Sequence, residues 1–257
     1  EACETQPRGE LRDYFNDLLD EKVKVAVKPQ YVDHIPKQFT GKVGELLAHA
    51  DERKAMDEVT VELGIDHLLE REVGELSGGE LQRLAIGATL LRDVDVYFFD
   101  EPSSYLDIFE RMRVVKILQR LAEEHRVIVI EHDLAILDVL SDLVHIVYGE
   151  RAAFGIFTPP RTTRKAINAY LDGFLSEENV RIRDKPISFV RGSTRAETVG
   201  PAILEWGGIT KTLGEFSLET GEGQLHQAEV VGVVGPNATG KTTYAKIIAG
   251  ELEMDDG

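Results

Sequence analysis

The chain has 257 residues, 42% of them hydrophobic, and a formal net charge of -17. That length buries a core without difficulty and suits one or two domains. A single cysteine, Cys3, excludes an internal disulfide framework and any multi-cysteine metal site, and no apolar run reaches membrane length. With no recognisable signal peptide, the sequence reads as soluble and cytoplasmic, without a membrane partner. An acidic surface opposes non-specific binding to nucleic acid and suits a salt-rich cytosol.

Residues 1–7 carry no readable pattern. From Arg8 to Leu19 the spacing of Leu11, Tyr14, Phe15, Leu18 and Leu19 predicts a short amphipathic helix. Lys22 to Lys28 alternates, which predicts a strand with Val23, Val25 and Val27 on its apolar face. Pro29 ends it and leaves Gln30 in a loop, where a neutral amide can accept from water or ligate a metal ion. Val43 to Glu62 is helical in pattern, with a break near Asp51 and a stop at Gly64.

Leu76-Ser77-Gly78-Gly79-Glu80 then opens a helix with apolar positions at Leu81, Leu84, Ala85, Ala88 and Leu91. Two glycines permit close backbone approach, and a serine beside free N–H groups at a helix start favours an anion. The same five residues also suit an ordinary serine N-cap after a glycine-rich turn.

Val94 to Phe99 is a largely apolar run that predicts a buried parallel strand. Asp100 and Glu101 fall at its carboxyl end, where open α/β sheets hold their ligands. Two acids there suit a magnesium-associated carboxylate, Asp100, and a general base for water, Glu101. As a plain N-cap before Pro102, Asp100 would be explained but Glu101 would not. Ser104-Tyr105-Leu106-Asp107 leads into a helix from Ile108 to Glu124. Arg126 to Ile130 predicts a second buried strand, and it puts His132 at the same sheet edge as Glu101. A short helix, Leu134 to Leu140, and a third strand, Leu143 to Tyr148, continue an alternation that implies a parallel sheet.

Gly149 to Phe157 suggests a hairpin, ended by Pro159-Pro160. Thr163 to Leu175 reads as a helix and Asn179 to Val190 as extended. Arg161, Arg164, Lys165, Arg181, Arg183, Lys185 and Arg191 outnumber the acids around them. This basic island suits either a phosphate backbone or a solvated linker face. Gly192 to Gly200 marks a boundary. Beyond it, Gly235-Pro236-Asn237-Ala238-Thr239-Gly240-Lys241-Thr242 fits GxxxxGK[ST] in full. It lies between a predicted strand, Glu229 to Val234, and a predicted helix, Thr243 to Gly250. The loop N–H groups would cradle phosphates, Lys241 would reach the terminal ones, and Thr242 would hold Mg²⁺.

Taken in order, LSGGELQR, a strand ending in DEP, SYLD and a strand ending in EHD resemble an ATP-binding cassette (ABC) ATPase. The resemblance implies an α/β fold of P-loop NTPase cassettes, each a mostly parallel sheet flanked by helices, with ATP and Mg²⁺ as ligands. It assigns Gln30 to the Q-loop, which touches metal and nucleotide, and Ser77, Gly78, Gly79 and Glu80 to the signature. It assigns Asp100 and Glu101 to the Walker B segment, Asp107 to the D-loop and His132 to the switch histidine. Gly235, Asn237, Gly240, Lys241, Thr242 and Thr243 match the P-loop.

The runs RGELRDYF (Arg8 to Phe15), KPQYVDHIP (Lys28 to Pro36), DEPSSYLD and INAYLDGFLSEENVRIR (Ile167 to Arg183) are similar to the ABC-E class, the RNase L inhibitor family of ribosome-recycling ATPases. That resemblance implies a first cassette over residues 1–153 without its P-loop, and within it the end of a helix–loop–helix insertion at 7–20. A hinge over 154–198 and the start of a second cassette over 199–257 would follow. It also implies contact of the insertion and hinge with the small ribosomal subunit and its rRNA, and with translation termination factors as partners. Trp206 aligns with the aromatic that stacks on adenine, and a core role suits it equally.

Three family features are not in this chain. They are the N-terminal domain with its iron–sulfur clusters, the P-loop of the first cassette, and the signature, Walker B and switch histidine of the second. In ABC pairs ATP lies between the P-loop of one cassette and the signature of the other. This chain, expected to be part of a twin-cassette protein cut at both ends, would then complete neither site and would not turn over ATP alone. The rival readings are the ATPase subunit of a membrane transporter and a non-catalytic nucleotide-binding scaffold.

Overall fold

The structure is a computed structural model and describes residues 23–188 and 200–256. The helix expected over 8–19, Arg191 and most of the boundary at 192–200 lie outside those residues. The chain divides into two compact units between Ile187 and Ser188.

The first unit is built on a parallel sheet in the order β1 (Val25–Lys28), β2 (Val96–Asp100), β3 (Arg126–Ile130). β2 is central, with Phe98 opposite both Val27 and Ile128. One face, carrying Ala26, Lys28, Tyr97 and Phe99, is buried. The expected apolar face of β1 is therefore the wrong one. Val25 and Val27 are 36% and 60% exposed, while Lys28 is fully buried. Alternation gives two faces but not which one meets the helices. Lys28 tolerates burial because its ammonium donates to the Asp100 carbonyl at 2.8 Å and the Glu101 carbonyl at 3.4 Å.

The helices follow from their ends. The pattern from Val43 to Glu62 splits into α1 (Val43–Ala50) and α2 (Met56–Leu63). Asp51 makes the break by accepting from the Ala55 and Met56 N–H groups at 3.0 and 3.2 Å. Gly64 closes α2 at φ +62°, and a Cβ there would lie 2.3 Å from the Arg113 guanidinium.

The signature helix α3 (Gly78–Leu90) is the centre of this unit's core. Leu81, Leu84, Ala85 and Leu91 are buried as expected, and so are Gln82, Ile86 and Leu90. A helix apolar on most sides is an interior helix. After β2, α4 (Ile108–Leu121) starts at Asp107, and after β3, α5 (Leu134–Leu140) starts at Asp133.

The next segment departs from the parallel alternation. The expected third strand at 143–148 is two short pieces, β4 (Leu143–Val144) and β5 (Val147–Glu150), and neither joins the parallel sheet. β5 pairs antiparallel with β6 (Phe154–Phe157), which is the expected hairpin. β4 pairs antiparallel with β7 (Arg161–Thr162). The intervening hairpin turns the chain away before a crossover can form.

Helix α6 (Thr163–Asp172) is shorter than expected because Gly173, at φ +75°, ends it. Leu175 goes instead into β8 (Phe174–Leu175), paired with β9 (Val180–Arg181). Ile146, Ala166 and Leu175 form a small separate core.

In the second unit β10 (Ala202–Trp206) pairs with β13 (Gly223–His226), and β11 (Thr210–Leu213) with β12 (Phe216–Glu219), all antiparallel. The strand expected at 229–234 is not formed, and Val230 and Val234 are each 95% exposed. An apolar run becomes a buried strand only when neighbours pair with it, and none does among the described residues. Helix α7 (Lys241–Ile248) begins two residues earlier than expected because Gly240, at φ +91°, takes the cap.

Candidate functional site

Glu101 stands where β2 ends, and four separate segments of the chain converge on it. Its N–H donates to the Ile130 carbonyl at 2.8 Å, which ties it to β3. Its Oε1 accepts from Gln30 Nε2 at 2.6 Å and lies 3.2 Å from His132 Nε2. Its Oε2 accepts from the Ser104 hydroxyl at 3.1 Å. Its carbonyl accepts from Gln82 Nε2 at 2.7 Å and from Lys28 Nζ.

The carboxylate is 19% exposed and the imidazole 82% exposed, so the pair opens outward from a fixed inner wall. Gln30, Glu101 and His132 thus meet, although more than a hundred residues separate the first from the last. Asp100 sits beside them as the last residue of β2. The Glu131 carboxylate fixes the rim, accepting from the Ser103 N–H at 2.9 Å and the His132 N–H at 3.1 Å.

Two residues of this site are not among the predicted site residues: Lys28, the end of the alternating run and the start of KPQYVDHIP, and Gln82, within LSGGELQR but outside the apolar stripe. Burial lowers the Lys28 pKa from 10.5 to about 8, against the opposing pull of Asp100, Glu101 and Glu131. No local signal marked either one: Lys28 falls on the face opposite the predicted apolar positions Val25 and Val27, and Gln82 falls off the stripe of Leu81, Leu84, Ala85 and Leu91, yet both are fully buried.

Asp107 does not join the Glu101 cluster. Its Oδ1 accepts from the N–H groups of Phe109 and Glu110 at 2.9 and 3.0 Å, so it caps α4. Ser77 caps α3 in a reciprocal box: its hydroxyl and N–H each donate to Glu80 Oε2 at 2.7 Å, and its Oγ accepts from the Glu80 N–H at 3.4 Å. The anion at this helix start is the protein's own. Burial would raise the Glu80 pKa, but the Ser77 hydrogen bonds, with Arg71 and Arg83, outweigh it and hold the carboxyl below its usual value. Gly78 faces the Tyr105 ring, where a Cβ would come to 3.2 Å.

In the second unit the P-loop runs into α7. Lys241 Nζ donates to the Gly235 carbonyl at 2.8 Å and also to the Pro236 carbonyl, so the ammonium is held over the loop. A cavity of about 260 Å³ lies against Asn237, Gly240, Lys241, Thr242 and Thr243. An adjoining cleft of about 410 Å³ runs from Lys241 and Thr239 to Trp206 and Tyr244. The Trp206 and Tyr244 rings meet edge to face, with centroids 6.1 Å apart. A ring at one end, an ammonium at the other and a glycine-lined bend between them fit a nucleotide's base and phosphates. Among the described residues no group of three or more His, Cys, Asp or Glu could hold a metal ion. At the P-loop Thr242 would give one ligand, and beside Glu101 Asp100 and Gln30 would give one each to a separate cation, with phosphate oxygens and water supplying the rest.

The basic island is less available than its composition suggested. Arg161 is buried and paired with Glu177 and Glu178. Arg183 lies over the Tyr170 ring, 5.3 Å from its centroid. Arg164, Lys165, Arg181 and Lys185 are exposed.

A signature turn opening a buried helix, a parallel strand ending in an acid pair, and a P-loop before a helix define an ABC-type P-loop ATPase fold. The ABC transporter family model matches residues 4–104. The chain is 46% identical over 96% of its length to an uncharacterized ABC transporter ATP-binding protein of Methanocaldococcus jannaschii, covering 41% of that protein. It is 48% identical, with a TM-score of 0.87, to the solved complex of an archaeal ribosomal stalk protein with the archaeal ribosome recycling factor aABCE1; the match covers 97% of this chain and 48% of that one. It is 47% identical, with a TM-score of 0.93 over all of this chain and 43% of that one, to the model of ribosome-bound archaeal Pelota and ABCE1. The chain belongs to the ABC-E class, the RNase L inhibitor family. It spans about two fifths of the length of the curated relatives it matches. No helix among the described residues is long and apolar enough to cross a membrane.

Proposed function

We propose that this chain is part of an ATP-hydrolysing ribosome-recycling factor, acting in the cytoplasm at termination and initiation of translation. The observation that carries the catalytic half is the convergence of Gln30, Ser104 and His132 on the Glu101 carboxylate. Mg²⁺-ATP, when bound, supplies the transferable phosphoryl group and the cation that spreads its charge.

The chain's own residues do the rest. Glu101 accepts the proton of the attacking water, Gln30 and Ser104 aim its carboxylate, and His132 adds a donor at the exposed rim. Lys241 and the P-loop N–H groups bind phosphates, Thr242 holds the cation, and Trp206 packs on the base. Asp100 and Gln30, together with Glu101 and His132, serve a second nucleotide, whose cation Asp100 and Gln30 help to hold. Asp107 acts through α4, by fixing the turn that carries Ser104.

The recycling half rests on the likeness to an archaeal recycling factor and on the exposed cations of the hinge segment. In this reading residues 1–153 form the first cassette, 154–198 the hinge, and 199–257 the start of the second cassette. The insertion at 7–20 and the hinge meet the small subunit and its rRNA, with termination factors nearby. The iron–sulfur clusters belong to a domain outside this chain. The chain alone does not turn over ATP, because it holds pieces of two sites.

The test uses the intact protein that carries this chain. Glu101→Gln should slow ATP hydrolysis by about 10²–10⁴-fold, the usual contribution of a general base. The variant should accumulate on small subunits in a sucrose gradient with ATP present. A protein that pellets with membranes, or a variant that hydrolyses ATP and leaves the ribosome normally, would refute the reading.

A further inference from the structure

We infer that Gln82 is a positioning residue for Glu101, tying the helix that begins at Ser77 to the peptide that carries the general base. The inference rests on the role proposed for Glu101. Gln82 lies five residues past Ser77, in the second turn of α3, and its side chain is fully buried. Its Nε2 donates to the Glu101 carbonyl at 2.7 Å.

Two observations set this contact apart from ordinary packing. Glu101 has φ +47°, in the left-handed region that a residue with a side chain adopts only when its surroundings hold it there. Its peptide is held by the N–H to Ile130 and by three donors to the carbonyl: Gln82 Nε2 at 2.7 Å, the Ser104 N–H at 3.3 Å and Lys28 Nζ at 3.4 Å. Gln82 makes the shortest of the three carbonyl contacts and the only one from a helix.

The second observation is the other end of the amide. Gln82 Oε1 is buried and has no hydrogen-bond partner among the described residues. An unmet buried acceptor is costly, and a methionine or leucine would fill the space without that cost. The amide is therefore kept for its donor. Because α3 is a single rigid helix, a shift of the Ser77 turn moves Nε2 and with it the Glu101 peptide. A small misplacement of a general base is enough to lower the rate.

The test compares the intact wild-type protein with Gln82→Met, which keeps the length and removes the donor, and Gln82→Glu, which keeps the shape and puts an oxygen where the donor was. Both should lower kcat by about tenfold or more while leaving the KM for ATP within about threefold, the pattern of a contact that acts in the transition state. The melting temperature of Gln82→Met should hold, since an unmet acceptor is removed along with the donor. Unchanged kcat in both variants overturns the inference. So does a fall in kcat that tracks loss of thermal stability, which is the mark of a merely structural residue. A Glu101→Gln control that hydrolyses ATP like wild type overturns the role of Glu101 itself, and Gln82 then has no base to position. A silent control, with Gln82 variants as active as wild type, sinks the inference and leaves that role standing.

Discussion

Lys28 Nζ and the Asp100 carbonyl oxygen are 2.8 Å apart beneath the acid pair, and the lysine has no exposed surface. A cation is thus built into the floor of a site whose other charges are acidic. Burial lowers its pKa to about 8.

That shift makes a stability prediction. Between pH 8 and 10.5 the unfolded chain holds this proton and the folded chain has released it, so stability rises with pH across that window. Below pH 8 both states hold the proton and the cost of burying the charge is fully felt. The gain across the window is at most ~3 kcal/mol, from ~1.4 kcal/mol per pKa unit. Urea unfolding of wild type and Lys28→Met at pH 7.5 and pH 10 should show an upward term in wild type that the variant lacks. Parallel pH dependences would mean that Lys28 does not titrate as described.

Gln30 supplies a neutral donor 2.6 Å from Glu101 Oε1. Gln30→Glu would replace that donor with a second carboxylate, and the two like charges would repel and turn the Glu101 side chain from its place. In the intact protein kcat for ATP hydrolysis should fall by about tenfold or more, because a small misplacement of a general base lowers the rate. An unchanged kcat would show that the Gln30 contact does not aim Glu101.

Gly223 stands opposite Trp206 in the β10–β13 ladder, and a Cβ there would come to 2.3 Å from the indole. Gly223→Ala must therefore displace the ring. Trp206 is the chain's one tryptophan, so its fluorescence reports the cleft directly. The variant should show a shifted emission maximum and bind ATP about tenfold more weakly, equivalent to ~1.4 kcal/mol. An equal ATP response in wild type and variant would make Trp206 a packing residue.

How much of this was legible beforehand differs from element to element. The bounds of β3, α5 and the stops at Gly64 and Asp51 could be read closely because each is set by local chemistry: a β-branched run, an aspartate cap, a left-handed glycine. The burial expected of β3 does not hold, since Ile128 and Ile130 are 44% and 50% exposed. The pieces of the site were legible for a related reason. Backbone N–H cradles, carboxylate bases and helix caps demand particular residue types at short spacings, and those spacings survive in one dimension.

By itself the sequence determined the motifs, their order and those helix ends that Asp51, Gly64 and Asp133 set. Only the tertiary structure decided which face of β1 is buried, that 143–148 turns into antiparallel pairs, and that 229–234 stays unpaired. It alone brought Lys28 and Gln82 under Glu101 and took Arg161 out of the basic surface. The physical reason is common to all of these. Burial, strand pairing and the partners of a buried polar group depend on residues far away in the chain, and no local pattern records them.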